Sequence, residues 1–358
     1  MRIVHLSDIH LSKDNYQDFE NYYKDALIGD LVDFNKAKKI DVIVITGDLV
    51  DKGGESLFEI DDFQDKTDYP CPYKIFEEAF IAPIVTALNL SRENFLFVPG
   101  NHDVDESEIL LKEEYVLSKT LDFNNVNQYL KENLSFKHSY RIKKFKEFEK
   151  KFHNENFNYE YTNNQSTFVY KSDRVNVGFV LVNDSWRCRS QKLDIDKGLI
   201  FGVNQIYDGM NFLKRKETNL NIVLMHHPVK EFIDKEELER CFNTSEIGFY
   251  LYGHYHSNDF IKHYEGYLDK CFGIRGRASL NRISEKESSY SPGYQILDLD
   301  FEFKNVKMII HYRQYKYKRN QFDYDTDACS GGRETVEINK HNMKSKPHSL
   351  DRRLFELK

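Results

Sequence analysis

Phe95-Leu96-Phe97-Val98-Pro99-Gly100-Asn101-His102-Asp103 is an apolar run that breaks at a glycine and then delivers an amide, an imidazole and a carboxylate in succession. Glycine allows the sharp turn, so Asn101 and His102 can point into one cleft. Alone, the stretch would also suit a solvated turn. Four other apolar runs end the same way. Ile3-Val4-His5-Leu6 leads into Ser7-Asp8-Ile9-His10, and Asp41-Val-Ile-Val-Ile-Thr46 leads into Gly47-Asp48. Asn221-Ile-Val-Leu-Met225 ends in His226-His227-Pro228, and Gly248-Phe-Tyr-Leu-Tyr252 ends in Gly253-His254-Tyr255-His256. A lone histidine is usually a core residue. Histidines repeated at strand ends, six of the chain's 13, are not explained that way.

The segments between these runs set the fold class. Phe19, Tyr23, Leu27, Leu31 and Phe34 recur at helical spacing over about 16–39, and a second helix is expected over 73–88. Strand, helix, strand, helix, strand at this spacing predicts right-handed βαβ crossovers and a mostly parallel sheet, with ligands at the carboxyl ends of its strands. Residues 53–70 are acidic and polar and read as a surface loop. Residues 105–175 break the rhythm, with helices expected at 106–119 and 124–133, then a basic-aromatic segment over 136–152. That segment carries Lys137, Arg141, Lys143, Lys144, Lys146, Lys150 and Lys151, with Phe145, Phe148 and Phe152 on one face. It reads as an amphipathic helix packed through its rings, or as a cap that meets a polyanion.

Strands are expected at 167–170 and 175–182, a helix at 204–216, and antiparallel strands at 260–264, 267–274, 294–301 and 306–312 that close the sheet into a second layer. Residues 313–358 read as a polar arm. The run Tyr312-Arg-Gln-Tyr-Lys-Tyr-Lys-Arg319 suits an edge strand, or a modest nucleic-acid contact. Arg187, Arg275 and Arg277 lie near strand ends and suit ion pairing or phosphate contact.

Composition narrows the class further. The 358 residues carry a formal charge of -7, which argues against binding nucleic acid by bulk electrostatics. No apolar run approaches the roughly 18 residues of a membrane span, and the first residues lack a signal-peptide core. A cytoplasmic, membrane-free protein is the expectation. The five cysteines are scattered without paired spacing, as free thiols would be.

Taken in order, Asp8-Ile9-His10, Gly47-Asp48, Gly100-Asn101-His102-Asp103, His226-His227-Pro228 and Gly253-His254-Tyr255-His256 resemble the signature of the calcineurin-like metallophosphoesterase superfamily. The resemblance spans residues 1–256. It implies an α/β fold, the four-layer α/β/β/α sandwich, here with a helical insertion at about 105–175 and a C-terminal β extension. The phosphoesterase domain would then cover 1–312. It also implies two divalent metal ions, manganese first, with iron or zinc as alternatives. Asp8, His10 and His256 would hold one ion, Asn101, His226 and His254 the other, and Asp48 would bridge them. Two such ions roughly 3.5–4 Å apart would share an acidified water, a bridging hydroxide, and clamp an in-line displacement at phosphorus.

His102 would protonate the leaving oxygen or stabilise its charge, with Asp51 or Asp103 orienting it. Gly47-Asp-Leu-Val-Asp-Lys-Gly53 is similar to the protein serine/threonine phosphatase motif, but Lys52 replaces its arginine and Asp103 its glutamate. The Val98-Pro-Gly-Asn-His-Asp103 context is closer to the phosphodiesterase branch. The expected substrate is therefore a phosphodiester, a nucleotide or a nucleic acid. A nuclease module of a larger assembly docked through 257–358, a phosphomonoesterase and a non-catalytic scaffold are the alternatives.

Overall fold

The computed structural model describes the whole chain except residues 65–67, 133–139, 191–197, 257–263, 266–270, 281–290, 303–304 and 340–358. β1 (Arg2–Leu6), β2 (Val42–Thr46) and β3 (Phe95–Val98) are buried along their full lengths. Continuous apolar runs, rather than alternating ones, are what a strand covered on both faces requires. The three pair in parallel, with Val4 beside Ile43 and Val44 beside Leu96. Val4, Leu6, Ile43, Ile45, Phe95 and Phe97 turn outward onto helices, whereas Ile3, Val42, Val44, Leu96 and Val98 turn inward onto a second sheet.

The outer helical layer is built by helical spacing. Phe19, Tyr23, Leu27 and Leu31 line a helix whose α-helical parts Lys13–Asp18 and Lys24–Ala37 flank a π turn at Phe19–Tyr23. Phe76, Phe80, Ile84 and Leu88 do the same between Pro72 and Leu88, again with a π turn, at Glu77–Ile81. The basic-aromatic segment forms the helix Lys143–Phe152. Its rings pack on Phe97, with centroids 5.8 Å away for Phe145, 5.3 Å for Phe148 and 5.1 Å for Phe152. Lys146 is buried against Glu149, and Lys144 bridges Glu55 and Asp105, both at 2.8 Å. The amphipathic alternative is the one observed; Lys137 lies outside the described residues.

The second sheet contains β4 (Tyr159–Glu160), β5 (Gln165–Lys171), β6 (Asn176–Val182), β7 (Leu220–Leu224), β8 (Phe249–Tyr252), β9 (Tyr264–Glu265) and β10 (Gly273–Arg275). Their order is β4-β5-β6-β7-β8-β10-β9, with β6, β7, β8 and β10 parallel. Ile206, Leu213, Leu238 and Phe242, from the helices Asn204–Arg215 and Lys235–Thr244, cover its outer face. Phe179, Leu181, Ile222, Leu224 and Leu251 meet the first sheet across the central core. Helices, sheet, sheet, helices: this is the expected α/β/β/α sandwich. The carboxyl ends of parallel strands from both sheets reach one rim.

Several local expectations are corrected. The residues from 313 do not begin an arm. β11 (Gly293–Phe301) and β12 (Asn305–Lys316) extend the first sheet beside β1, and β13 (Gln321–Tyr324) and β14 (Arg333–Asn339) both pair with β12. Among its described side chains β14 buries Val336 and Ile338, too few apolar residues to register as a strand in the sequence. Residues 340–358 lie outside the described residues. Residues 105–175 are not wholly helical, because β4 and β5 sit in the second sheet. The acidic stretch after Lys52 is not a free loop: its short 3-10 turns bury Leu57, Ile60 and Phe63. The strand expected at 260–264 falls almost entirely outside the described residues, and β10 runs parallel to β8, not antiparallel. Within Tyr312–Arg319, Tyr312, Arg313 and Tyr315 are buried, and Arg313 holds Asp30 at 2.6 Å. Arg277 pairs with Asp325 and Arg187 lies 3.4 Å from Glu114, so both are structural ion-pair partners. All five cysteines are free thiols.

Candidate metal centre

The loops that follow β1 and β2 remain paired after the strands end. Asp8, His10 and Leu11 donate backbone N–H groups to the carbonyls of Gly47, Asp48 and Leu49 at 2.9–3.1 Å. Within this double turn Asp8, His10 and Asp48 adopt left-handed φ values of 51°, 48° and 53°, and His254 takes 74°. Each such non-glycine residue costs on the order of 1 kcal/mol or more, and strain of this kind concentrates at functional sites. Two glycines let the loops close. A Cβ on Gly47, whose φ is 92°, would lie 2.3 Å from His226 Nδ1, and one on Gly100 would lie 2.1 Å from Asp48 Oδ1.

The side chains converge as two touching groups. In the first, His10 Nε2 lies 2.9 Å from His256 Nε2, 3.9 Å from Asp8 Oδ1 and 3.4 Å from Asp48 Oδ2. His256 Nε2 is 3.6 Å from Asp8 Oδ1. In the second, Asn101 Oδ1 lies 3.0 Å from both His226 Nε2 and His254 Nδ1. His226 Nε2 is also 3.3 Å from Asp48 Oδ2. Asp48 Oδ2 therefore belongs to both groups. All seven residues marked out as ligands by the sequence meet here.

The arrangement passes a test for fitness to hold cations. Asp8 Oδ1 and Asp48 Oδ2 are buried without a hydrogen-bond partner, an expensive condition unless a positive charge is expected there. The other atoms of the same residues are used for positioning. Asp48 Oδ1 accepts the His102 N–H at 2.7 Å, and Asp8 Oδ2 accepts the His254 N–H at 3.2 Å. His226 Nδ1–H donates to the Thr46 carbonyl at 2.7 Å, which leaves Nε2 to present its lone pair. Burial opposes charge on the Asp48 carboxylate, but the neighbouring His226 and His10 outweigh it and hold its pKa well below the usual range. Oxygen and nitrogen donors without thiolate suit manganese, iron or zinc.

His102 stands beside the two groups, its ring 4.4 Å from that of His10 and edge-on to it. Its Nδ1 lies 2.7 Å from Asp51 Oδ1, and a third of its side chain is exposed to the cleft. Burial lowers the His102 pKa, but the Asp51 hydrogen bond and the Asp48 charge outweigh that and raise it. Of the two acids expected to orient this ring, Asp51 does so. Asp103 does not. It accepts N–H groups from Gly100 at 2.8 Å and from Leu49 and Val50 at 3.2 and 3.3 Å, tying the loop after β3 to the loop after β2. Burial, then the charge of Asp48, raises its pKa to about 7.

Two residues with clear roles were not singled out from the sequence. Asp184, at the end of β6, accepts the backbone N–H groups of His226 and His227 at 2.9 and 2.7 Å and lies 3.4 Å from His227 Nδ1. His227 is thereby turned toward Asp184 and Cys188, whose Sγ is 3.7 Å from its Nε2. Glu231 lies 3.4 Å from His254 Nε2. An acid just after an apolar run was a weak signal for Asp184. Nothing in the sequence pattern marks Glu231.

Two sheets sandwiched between helices, with seven nitrogen and oxygen donors at one rim, define a metallophosphoesterase. The chain belongs to the calcineurin-like phosphoesterase family, whose model matches residues 1–258. A curated relative is the uncharacterized metallophosphoesterase-like protein YydB of Bacillus subtilis (strain 168). The two are 24% identical over 341 residues, covering 90% of this chain and 62% of the relative, so the chain spans less than two thirds of that protein's length. Among solved structures, the chain resembles the NAD nucleotidase NadN of Haemophilus influenzae (TM-score 0.43, 15% identity, 89% of this chain and 52% of that one). It also resembles the sulfate thiohydrolase SoxB of Thermus thermophilus (TM-score 0.41, 10% identity, 96% and 58%). The family assignment rests on the family match and on the site, not on these distant likenesses. Among the described residues no helix is long and apolar enough to cross a membrane.

Proposed function

We propose that this chain is a two-metal phosphodiesterase acting on a nucleotide or nucleic-acid phosphodiester. One observation carries the reading: Asp48 Oδ2 is shared by both ligand groups, 3.4 Å from His10 Nε2 and 3.3 Å from His226 Nε2. Asp8, His10 and His256 would hold one ion and Asn101, His226 and His254 the other, with the Asp48 carboxylate available to both. Bound there, the ions supply a water activated for attack and neutralise charge on the phosphoryl oxygens. The protein's own residues supply the rest. His102, its Nδ1–H fixed by Asp51, presents Nε2 to the cleft and passes a proton to the departing oxygen. Such help is worth roughly 10²–10⁴-fold.

A small nucleotide is favoured over a long polynucleotide. The helix Lys143–Phe152 turns its rings into the core, and Lys144 and Lys146 are engaged in ion pairs.

The test is turnover of bis-p-nitrophenyl phosphate beside the matching monoester, with metal-stripped protein reloaded with manganese, iron(II) or zinc. Metal-dependent diester cleavage supports the proposal and justifies a panel of cyclic nucleotides, single- and double-stranded DNA, and RNA. Monoester preference would make the protein a phosphatase. Silence on both substrates from protein holding two ions would leave a narrowly specific enzyme or a scaffold.

A further inference from the structure

We infer that Glu231 determines which ring nitrogen of His254 is offered to a cation, and so sets the affinity of the metal position shared by Asn101, His226 and His254. The inference rests on the two-metal reading. His254 Nδ1 faces that position, 3.0 Å from Asn101 Oδ1 and 3.3 Å from His226 Nε2. Its Nε2, on the far side of the ring, lies 3.4 Å from Glu231 Oε2. A neutral imidazole has one N–H. A carboxylate beside Nε2 keeps the proton there and leaves the lone pair on Nδ1.

The neighbouring ligand shows the same logic by another device. His226 gives its Nδ1–H to the Thr46 carbonyl and turns Nε2 to the same place. His226 is thus held by a backbone oxygen of β2, fixed by the sheet. His254 sits on a loop, in a left-handed conformation, and is braced by a side chain instead.

Glu231 is itself held. Tyr255 donates its hydroxyl to Glu231 Oε1 at 2.8 Å, and the Glu231 N–H bonds the Pro228 carbonyl at 3.0 Å in the short turn Val229–Glu231. The chain leaving His226-His227-Pro228 therefore folds back to brace the other histidine of the same position. Tyr255, between His254 and His256 in sequence, completes the brace. Beyond fixing the tautomer, a carboxylate makes the imidazole a stronger donor, and loss of such a partner typically weakens metal affinity by about 10–100-fold.

The test measures metal binding rather than turnover. Metal-stripped full-length protein is titrated with manganese by calorimetry, and the spin-coupled manganese pair is followed by electron paramagnetic resonance. In Glu231→Ala one of the two binding steps should lose about 10–100-fold in affinity while the other is unchanged. Glu231→Gln, which keeps a neutral acceptor, should fall between Ala and the parent, and Tyr255→Phe should lose a few-fold. The melting temperature of the metal-free protein should not move. Unchanged affinities for both ions would overturn the inference. Equal weakening of both steps would also overturn it. If the parent protein binds fewer than two ions, the two-metal reading itself fails, and this inference fails with it.

Discussion

Replacing His102 by alanine removes one ring from the cleft and leaves the backbone N–H that Asp48 Oδ1 accepts at 2.7 Å. The side chain is one-third exposed and, among the described residues, its ring nitrogen bonds Asp51, so the fold should lose little. What is lost is a proton donor. At about 1.4 kcal/mol per decade, the ~10²–10⁴-fold contribution of a positioned acid corresponds to roughly 3–5 kcal/mol of transition-state stabilisation. That loss should depend on the leaving group. A p-nitrophenolate departs without a proton, whereas a nucleoside or alkoxide oxygen needs one. His102→Ala should therefore lower kcat by about two decades or more on alkyl or nucleoside diesters and much less on bis-p-nitrophenyl phosphate. Asp51→Asn keeps the ring but weakens its support, and should show the same leaving-group dependence at smaller amplitude. The assay is kcat across a series of diesters graded by leaving-group acidity, at saturating metal. An equal loss on every leaving group would refute proton donation and leave His102 an electrostatic or positioning role.

Other expectations concern the frame around the site. Asp103→Ala strands three buried N–H groups, on Leu49, Val50 and Gly100. It should cost about 2–4 kcal/mol in urea unfolding and reduce metal binding, because it unties the loops carrying Asp48 and Asn101. Phe97→Ala removes the ring on which Phe145, Phe148 and Phe152 pack and should cost about 3–5 kcal/mol, read by the same denaturation midpoint. His153 is buried, stacked on Tyr159 at 3.9 Å, and its pKa is lowered to about 3 by burial first, then by Arg92 and Lys146. A base whose pKa falls on folding binds its proton only when unfolded over the window from about 6.5 down to about 3, so stability is full above the window and lost as pH drops through it. At about pH 5 the loss from this residue is roughly 2 kcal/mol. His153→Phe should flatten the fall in unfolding free energy between neutral and acid pH, and an unaltered slope would contradict the assignment.

The legible part of this protein was the part whose physics is local. A buried strand must be an unbroken apolar run, and a ligand at its carboxyl end must follow immediately, so Asp8, Asp48, Asn101, His226 and His254 announced themselves by position. The helices declared themselves by spacing, as with Phe19, Tyr23, Leu27 and Leu31. Asp103 shows where adjacency misleads. In the tight turn Asn101–Asp103 successive side chains diverge by about 120°. Asn101 therefore meets the ligand cluster, His102 the cleft, and Asp103 the underside of the neighbouring loop. β14 escaped notice because an edge strand buries one face, and among its described side chains that face is Val336 and Ile338.

The sequence by itself determined an α/β fold with candidate ligands at the ends of apolar strands, since both follow from patterns within short segments; the four-layer architecture and the full set of seven ligands came through the resemblance to a known family. Only the tertiary structure decided that Asp51 rather than Asp103 holds His102, and that Asp184 and Glu231 brace the histidines. These depend on contacts between residues tens of positions apart, such as the 42 that separate Asp184 from His226. Such contacts arise where loops follow neighbouring strands of one sheet, as β6 and β7 or β2 and β3 do, or where the two sheets meet, as Asp48 meets His226; no spacing along the chain encodes them.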